Sequence, residues 1–439
     1  MGGDSERRIG SADRIGSARS IRSLTRHTNS SFALPTAGDG ATGIPTTLWG
    51  KFKMLVAVLL TIVGQSMQNI CLPLALSGGD DMGVVLCYTT FVYFVFFTLL
   101  DVILDAVVPR LEHVSQNMSH RHLAVVGLMN ALNGVGAIFG GSSDRTPLTL
   151  QMSFFLFSTL FAPWYKLLRH TIGSKGKTSL CDVPRLLGFR GWAAYAGCAV
   201  CYLVATALVL SDKIENTGSG KLNAYCIFFL AGTFFATTYN VEQDIVMDDT
   251  STVALHTAHA ISHENLTPLQ FFKRDVQVLR RQLTWLFIFG WIGVLLSLIG
   301  AGQGGALNYD RFVGSWGSFI TFNNKWMNLF NLGYILTFIG NIYVNRFDSS
   351  FTMIIANVSA VSSMWPGWVP SISMQTVGFS PNVPKTVISM ILSIVAVGPS
   401  WVFSQEYTVA LTDALEGKRS RTGAKVNEEE AQLYKTFDS

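Results

Sequence analysis

Uncharged polar side chains interrupt the long apolar runs of this chain, and their types could bind a solute. The runs hold amides, hydroxyls and a few carboxylates, whereas Lys and Arg occur only near their ends. Polar groups inside a lipid bilayer are costly, and they tend to face a cavity or a partner helix. We therefore predict a solute-binding cavity, with the candidate residues Gln65, Gln68, Asn69, Tyr93, Asn133, Gln151, Asn240, Asn331 and Ser362.

The chemistry of these side chains narrows the class of solute. A pathway for phosphorylated or other anionic solutes would carry fixed positive charge at mid-membrane, and the apolar runs lack it. Amides and carboxylates suit neutral or cationic solutes, such as amino acids, small peptides and amines. The alternative role for an intramembrane Asn, such as Asn130 or Asn328, is to join two helices by a hydrogen bond.

Asp101 and Glu242 are the two carboxylates that the apolar runs offer for carrying a coupled proton. Asp101 and Asp105 lie four residues apart and share one face of a helix, and Asp101 lies deeper in its apolar run. Glu242 lies late in a later run. The alternative for Asp101 is a structural ion pair with an arginine, for which Arg110 is close in sequence.

The elements that must position these residues are membrane-spanning helices. The chain has 439 residues, 49% hydrophobic and only 14% charged, which is unlike an ordinary soluble protein. A span needs about 20 apolar residues, and hydrocarbon cannot satisfy unpaired backbone groups. We predict an all-α integral membrane protein with ten transmembrane helices, near 52–77, 82–108, 122–141, 147–168, 189–210, 222–243, 279–300, 325–345, 350–372 and 383–405.

Charge placement and an internal repeat organise these spans. Lys and Arg concentrate in the tails and in alternate loops, which places both termini in the cytosol. The pattern Met-Asn-x-x-Asn occurs at 129–133 and again at 327–331, and such a half-length repeat is typical of secondary transporters. The predicted organisation is a disordered cytosolic tail (1–50), helices 1–5 (51–212), helices 6–10 with a cytosolic 6–7 loop (213–410) and a cytosolic tail (411–439).

The partners expected from the sequence are a small-molecule solute, the lipid bilayer and a proton gradient. Nucleic acid is not expected because the charges lie between apolar runs, and the six cysteines lack metal-ligand spacing, so we expect no metal or cofactor. Tyr434-Lys435-Thr436-Phe437 matches the pattern that sorting adaptors bind, and the sequence fits a monomer or a dimer.

Two short motifs resemble those of a known family. Residues Arg346 to Ile354 resemble the K/R-F-x-S-S-x-T-x-I signature of chloroquine-resistance-transporter-like proteins, in the drug/metabolite transporter superfamily. Residues Asn240 to Val246 are similar to that family's Asn-x-x-x-acid-Ile-Val at the end of span six. The resemblance extends over 52–405 in layout, but the lysine that the malaria-type protein carries in span one is replaced here by the Gln65–Asn69 stretch.

The resemblance implies two inverted five-helix repeats around a central cavity, in a vacuolar or lysosomal membrane or, alternatively, a plastid membrane. It implies proton-driven export of amino acids, small peptides, glutathione-like thiols or cationic amphipathic drugs. In this resemblance, Asp244 corresponds to the acidic residue of the family motif at the end of span six, and it is therefore a third candidate for proton coupling.

Two other functions compete with this hypothesis. A nucleotide-sugar or organic-phosphate carrier of the same superfold is disfavoured because the spans lack central cations. An intramembrane enzyme is not expected, since Asp101-x-x-x-Asp105 lacks the second Asp-rich motif of membrane prenyltransferases and the sequence contains neither H-E-x-x-H nor G-x-S-x-G.

Overall fold

The fold is built from helices. The computed structural model describes residues 48–77, 79–108, 120–143, 145–173, 182–217, 224–257, 268–300, 307–344, 349–365 and 381–437, and these residues contain no strand. The helices are α1 Leu48–Leu76, α2 Met82–Val107, α3 His120–Gly140, α4 Leu148–Gly173, α5 Asp182–Leu186, α6 Phe189–Thr217, α7 Ala224–Thr257, α8 Pro268–Leu298, α9 Tyr309–Ile320, α10 Lys325–Val344, α11 Ser349–Ser362 and α12 Val383–Phe437.

Several of these helices can cross a bilayer, so the chain has the architecture of a multi-pass membrane protein. Within the described ranges, six are long and apolar enough: Gly50–Leu76, Met82–Val107, His120–Gly140, Phe189–Asn216, Phe272–Leu298 and Val383–Leu411. The other four predicted spans coincide with α4, α7, α10 and α11, which lie outside that set. An all-helical membrane protein is therefore confirmed, and the count of ten spans stays a prediction.

The long helices pack in a defined set of pairs. The most extensive contacts join α1 to α10, α2 to α8, α3 to α7, α6 to α12, and α3 to α8. Smaller contacts join α4 to α6, α7 and α11, and join α11 to α1 and α12. Most of these contacts therefore join a helix from the first half of the sequence to one from the second half.

Glycines bring several of these pairs into backbone contact, among them α1–α10 and α3–α7. A Cβ atom on Gly64 of α1 would lie 2.5 Å from the carbonyl oxygen of Gly333 of α10. A Cβ atom on Gly136 of α3 would lie 2.5 Å from the Cα atom of Gly232 of α7. Small residues at such crossings let helix backbones approach closely, which is how helices associate in lipid.

Contacts between charged and polar residues define two ends of the bundle. One end, termed the Glu242 end, contains two separate groups of contacts between helices: Glu242 with His122 and Arg169, and Asp105 with Lys273. The opposite end, termed the Asp81 end, contains Asp81, Arg145, Lys213 and Ser297. There Asp81 caps α2, because its Oδ1 accepts hydrogen bonds from the backbone N–H groups of Gly83 and Val84, each at 3.0 Å.

The observed helices match the predicted spans in position but not always in length. We predicted a start near 279 for the seventh span, whereas α8 begins at Pro268 and its membrane-competent stretch at Phe272. Lys273 and Arg274, in this first part of α8, are buried. The segment after 411, predicted to be a cytosolic tail, continues α12 as far as Phe437. The helix α9 lies in a segment for which we predicted no helix.

Some predictions fall on parts of the chain that the structure does not describe. They are the tail up to residue 47, most of the Arg346–Ile354 motif, and the side chains of Tyr434 to Phe437.

Candidate functional site

A cavity of about 150 Å³ lies among eight of the long helices, α1, α2, α3, α4, α7, α8, α10 and α11. Seven of the nine residues predicted to bind a solute line this one cavity: Gln65, Gln68, Asn69, Tyr93, Asn133, Gln151 and Asn240. The lining residues lie in the part of α2, α3, α4 and α7 nearer the Asp81 end. Polar residues chosen only by their position in the apolar runs, most of them amides, therefore lie around one cavity.

The other two predicted residues lie outside the cavity lining. Asn331 is buried, and neither its Nδ2 nor its Oδ1 has a hydrogen-bond partner among the described residues. Ser362 shares a hydrogen bond of 2.8 Å between its hydroxyl and that of Ser66. The repeat partner of Asn130, Asn328, also lies outside, and its Nδ2 donates to the carbonyl oxygen of Phe322.

Three of the lining amides are already held by the protein. Gln151 Nε2 donates to the backbone carbonyl oxygens of Gly141 (2.7 Å) and Thr146 (2.6 Å), which ties α4 to the preceding turn. Gln68 Nε2 donates to Thr337 Oγ1 at 2.6 Å. Asn69 Nδ2 donates to Ser363 Oγ at 3.2 Å. These side chains fix the walls of the cavity and have less capacity left for a solute.

One wall of the cavity is aromatic, and it was not predicted. Phe330, Tyr334 and Phe338 lie on one face of α10, and ring centroids in successive pairs are 5.1 and 5.6 Å apart. Tyr93 of α2 joins them with its ring 4.9 Å from that of Tyr334. The spacing of four residues in the sequence is the signal that could have identified this face.

The described lining of the cavity contains no formally charged side chain. Its lining, as far as the structure describes it, consists of amides, hydroxyls, aromatic rings and aliphatic groups, without any Asp, Glu, Lys, Arg or His. The predicted absence of positive charge at this site agrees with the lining. The lining also lacks carboxylates, which the sequence had suggested as possible cavity groups.

Glu242 lies instead in a cluster at the Glu242 end, with His122, Tyr165 and Arg169. Its Oε1 accepts a hydrogen bond from the hydroxyl of Tyr165 (2.6 Å), and its Oε2 accepts from Arg169 Nη2 (2.8 Å). His122 Nε2 lies 2.7 Å from the same Oε2. This Glu242 cluster joins α3, α4 and α7.

Asp101 and Asp105 lie in ion pairs between α2 and α8. Asp101 Oδ2 is 2.6 Å from Arg280 Nη1, and Asp105 Oδ1 is 2.8 Å from the Nζ of Lys273, which is buried. Arg280 is therefore the arginine partner of Asp101 in this structure. Asp244 lies in α7, and its side chain falls outside the described residues.

The Asp81 end is held by hydrogen bonds and ring contacts instead. Asp81 Oδ1 accepts a hydrogen bond from Ser297 Oγ at 2.6 Å, and the backbone N–H of Asp81 donates to Ser315 Oγ of α9 at 2.6 Å. Phe319 of α9 stacks on Tyr88 of α2 with ring centroids 4.3 Å apart. The helix α9 thus contacts α2 at this end.

A search of protein-family models and of curated proteins found no match for this chain.

Proposed function

We propose that this chain is a secondary transporter that moves small neutral or cationic solutes by alternating access, of the chloroquine-resistance-transporter-like type. The observation that carries the proposal is the polar, uncharged cavity enclosed by helices from both halves of the chain. Such a site inside a largely apolar helical bundle is concave, mostly preformed and lined by a few convergent polar groups, as solute sites are.

The pairing of helices supports an origin in two five-helix repeats. Exchanging α1 with α7, α2 with α8, α3 with α10, α4 with α11 and α6 with α12 converts the α1–α10 pair into the α7–α3 pair. The same exchange converts α4–α7 into α11–α1 and α4–α6 into α11–α12, and it leaves α2–α8, α4–α11 and α6–α12 unchanged. The exception is α3–α8, whose counterpart α10–α2 is a much smaller contact. The two glycine crossings at Gly64–Gly333 and Gly136–Gly232 exchange as well.

Alternating access requires one end of the cavity to open while the other stays closed. The cavity lies nearer the Asp81 end, and charged side chains bridge the helices at the Glu242 end. We propose that protonation of Asp101 or Glu242, with Asp244 as a third candidate, removes the charge that holds these bridges. The proton would thereby be coupled to opening of the Glu242 end.

The distribution of Lys and Arg supports a cytosolic location for both termini. The cellular location that we propose is an endomembrane, vacuolar or lysosomal, whose acidic lumen would supply the protons.

Transport in proteoliposomes with an imposed pH step tests the function. We expect saturable uptake of one or more of a panel of radiolabelled amino acids, peptides, thiols, amines and sugars. We also expect Asp101→Asn or Glu242→Gln to lower the pH-driven part about tenfold, as loss of a charge-assisted bridge would. The control is Glu215→Gln, which removes an exposed carboxylate that pairs with Lys385. Unchanged pH-driven uptake in the variants of Asp101, Glu242 and Asp244 would reject the coupling mechanism.

A further inference from the structure

We propose that the cavity selects uncharged polyhydroxylated solutes of monosaccharide size or smaller, held by Gln65, Asn130, Asn240, Tyr93 and Tyr239. This inference rests on the proposed carrier function and narrows its solute class.

Five side chains that line the cavity have hydrogen-bonding groups that the protein does not use. In this they differ from Gln68, Asn69 and Gln151, whose amides donate to other groups of the protein. The hydroxyls of Tyr93 and Tyr239 are buried and have no hydrogen-bond partner among the described residues. Among the described residues, the side-chain amides of Gln65, Asn130 and Asn240 also have no hydrogen-bond partner in the protein. A buried polar group without a partner is rare, so the hydroxyls of Tyr93 and Tyr239 call for a partner such as a bound solute or an ordered water.

The five groups match hydroxyls better than they match ions. An amide presents a donor and an acceptor, and a tyrosine hydroxyl does both. A solute hydroxyl also donates and accepts, so a polyol can satisfy every free group in the cavity. An ammonium group only donates and a carboxylate only accepts, so either ion would leave part of each free amide unpaired.

A charged solute would also lack a counter-ion. Two buried acidic groups near the cavity in sequence, Asp101 and Glu242, lie outside its lining and have basic partners of their own. A third, Asp81, also lies outside the lining and caps α2. An ion transferred from water into a site without an opposite charge loses its hydration without compensation. An amino-acid zwitterion would meet this cost at both of its charged groups.

The aromatic wall and the volume of the cavity limit the shape and the size of the solute. The rings of Tyr93, Phe330, Tyr334 and Phe338 contact one another, with neighbouring centroids 4.9 to 5.8 Å apart. They therefore form a continuous apolar wall on one side of the cavity, against which the C–H groups of a sugar can pack. A cavity of about 150 Å³ is smaller than the ~300–1,000 Å³ of drug-sized pockets.

A size-matched series tests charge selection. Thermal unfolding of the purified full-length protein in detergent is measured with glucose, glucosamine and glucuronate, at a pH where the amine and the acid are ionised. Glycerol, erythritol and myo-inositol extend the uncharged series. We expect stabilisation by at least one uncharged polyol and at least tenfold weaker binding of both charged sugars. Stronger binding of either charged sugar than of glucose, or no stabilisation by any of the polyols, would overturn the proposal.

Repeat-related asparagines provide a matched pair of variants. Asn130→Asp introduces a negative charge into the cavity, and we expect it to shift preference from the polyol to glucosamine by tenfold or more. Asn328→Asp introduces the same charge outside the cavity, next to Phe322, and we expect the wild-type preference. Equal selectivity in the two variants would contradict the inference.

A more conservative substitution tests the site with little disturbance of the fold. Tyr93→Phe keeps the ring contacts with Tyr334 and Phe338 and removes only the free hydroxyl. We expect about tenfold weaker polyol binding, the typical effect of one buried hydrogen bond. Unchanged affinity in both Tyr93→Phe and Tyr239→Phe would remove these hydroxyls from the site and overturn the assignment.

Binding in detergent separates this inference from the carrier function. Selective polyol binding without uptake into liposomes would reject the carrier and keep the selectivity. Uptake of amines without any polyol binding would keep the carrier and reject the selectivity.

Discussion

The two ends of the α2–α8 pair are held together by different kinds of contact. At the Asp81 end, a Cβ atom on Gly83 would overlap the carbonyl group of Gly293, and Ser297 hydrogen-bonds to Asp81. At the Glu242 end the same helices are joined by the ion pairs Asp101–Arg280 and Asp105–Lys273.

The two kinds of contact differ in their sensitivity to protonation. Backbone contact between glycines depends on shape, so it stays the same whatever the protonation state. An ion pair depends on two charges, and it weakens when the carboxylate takes up a proton. One end of the pair is therefore suited to remain fixed, and the other is suited to separate.

We expect the largest effect on stability from adding a methyl group at the contact between Gly83 and Gly293. Gly83→Ala forces α2 away from Gly293, and we expect a loss of about 3 kcal/mol in the free energy of unfolding. Gly197→Ala on α6 is the control, because no atom lies within 4 Å of the position of its Cβ. Thermal unfolding in detergent measures both. Equal midpoints for the two variants would show that the glycine contact is not tight.

The next effect concerns the Glu242 cluster. Glu242→Gln leaves Arg169 and His122 without their carboxylate, and we expect a loss of about 2 kcal/mol in unfolding free energy. Glu406→Gln breaks an exposed pair with Arg190, and the expected change is within about 0.5 kcal/mol. Chemical or thermal unfolding of the two variants gives the comparison, and a Glu242 variant as stable as the Glu406 variant would contradict it.

A smaller effect distinguishes the two ion pairs between α2 and α8. In double-mutant cycles, we expect a coupling energy of about 1 kcal/mol between Asp101 and Arg280. Asp101 is buried and Asp105 is half exposed, so solvent screens the second pair and we expect less coupling between Asp105 and Lys273. The reverse order of the two coupling energies would place the main interaction nearer the helix ends.

The smallest effect is a pH dependence at the Asp81 end. Burial raises the pKa of Asp80, although Asn324 Nδ2 donates to its Oδ2 at 2.6 Å and opposes that rise. A carboxyl group with a raised folded-state pKa favours the folded state below its unfolded pKa, and this contribution is lost as the pH rises through the folded pKa. Asp80→Asn should therefore gain stability relative to wild type as the pH increases. Unfolding midpoints across this pH range test it, and a constant difference would contradict the expectation.

The sequence predicted the elements and the cavity amides better than it predicted the charged contacts. Apolar run length is a local property, so the positions of the helices followed from it. Gln65, Tyr93 and Asn240 line one cavity because polar groups in apolar runs have few other places to lie. The Asp101–Arg280 pair joins residues far apart in sequence, and only helix packing brings them together.

The roles of individual amides were less predictable for the same reason. Gln151 and Asn240 look alike in sequence, yet Gln151 donates to two backbone carbonyls. Backbone geometry at the preceding turn decides that difference. Asn331 matched the repeat but lies outside the cavity, since a small rotation of a helix moves a residue from one face to another.

The lack of charged side chains in the described part of the cavity lining has an electrical consequence. A membrane potential acts on a charge with about 2.3 kcal/mol per 100 mV, but it exerts no such force on an uncharged solute in an uncharged site. In that case the loaded cavity would change sides without moving charge through the field. Voltage could then influence the cycle only through groups outside the cavity, among them the carboxylates and arginines of the Glu242 end.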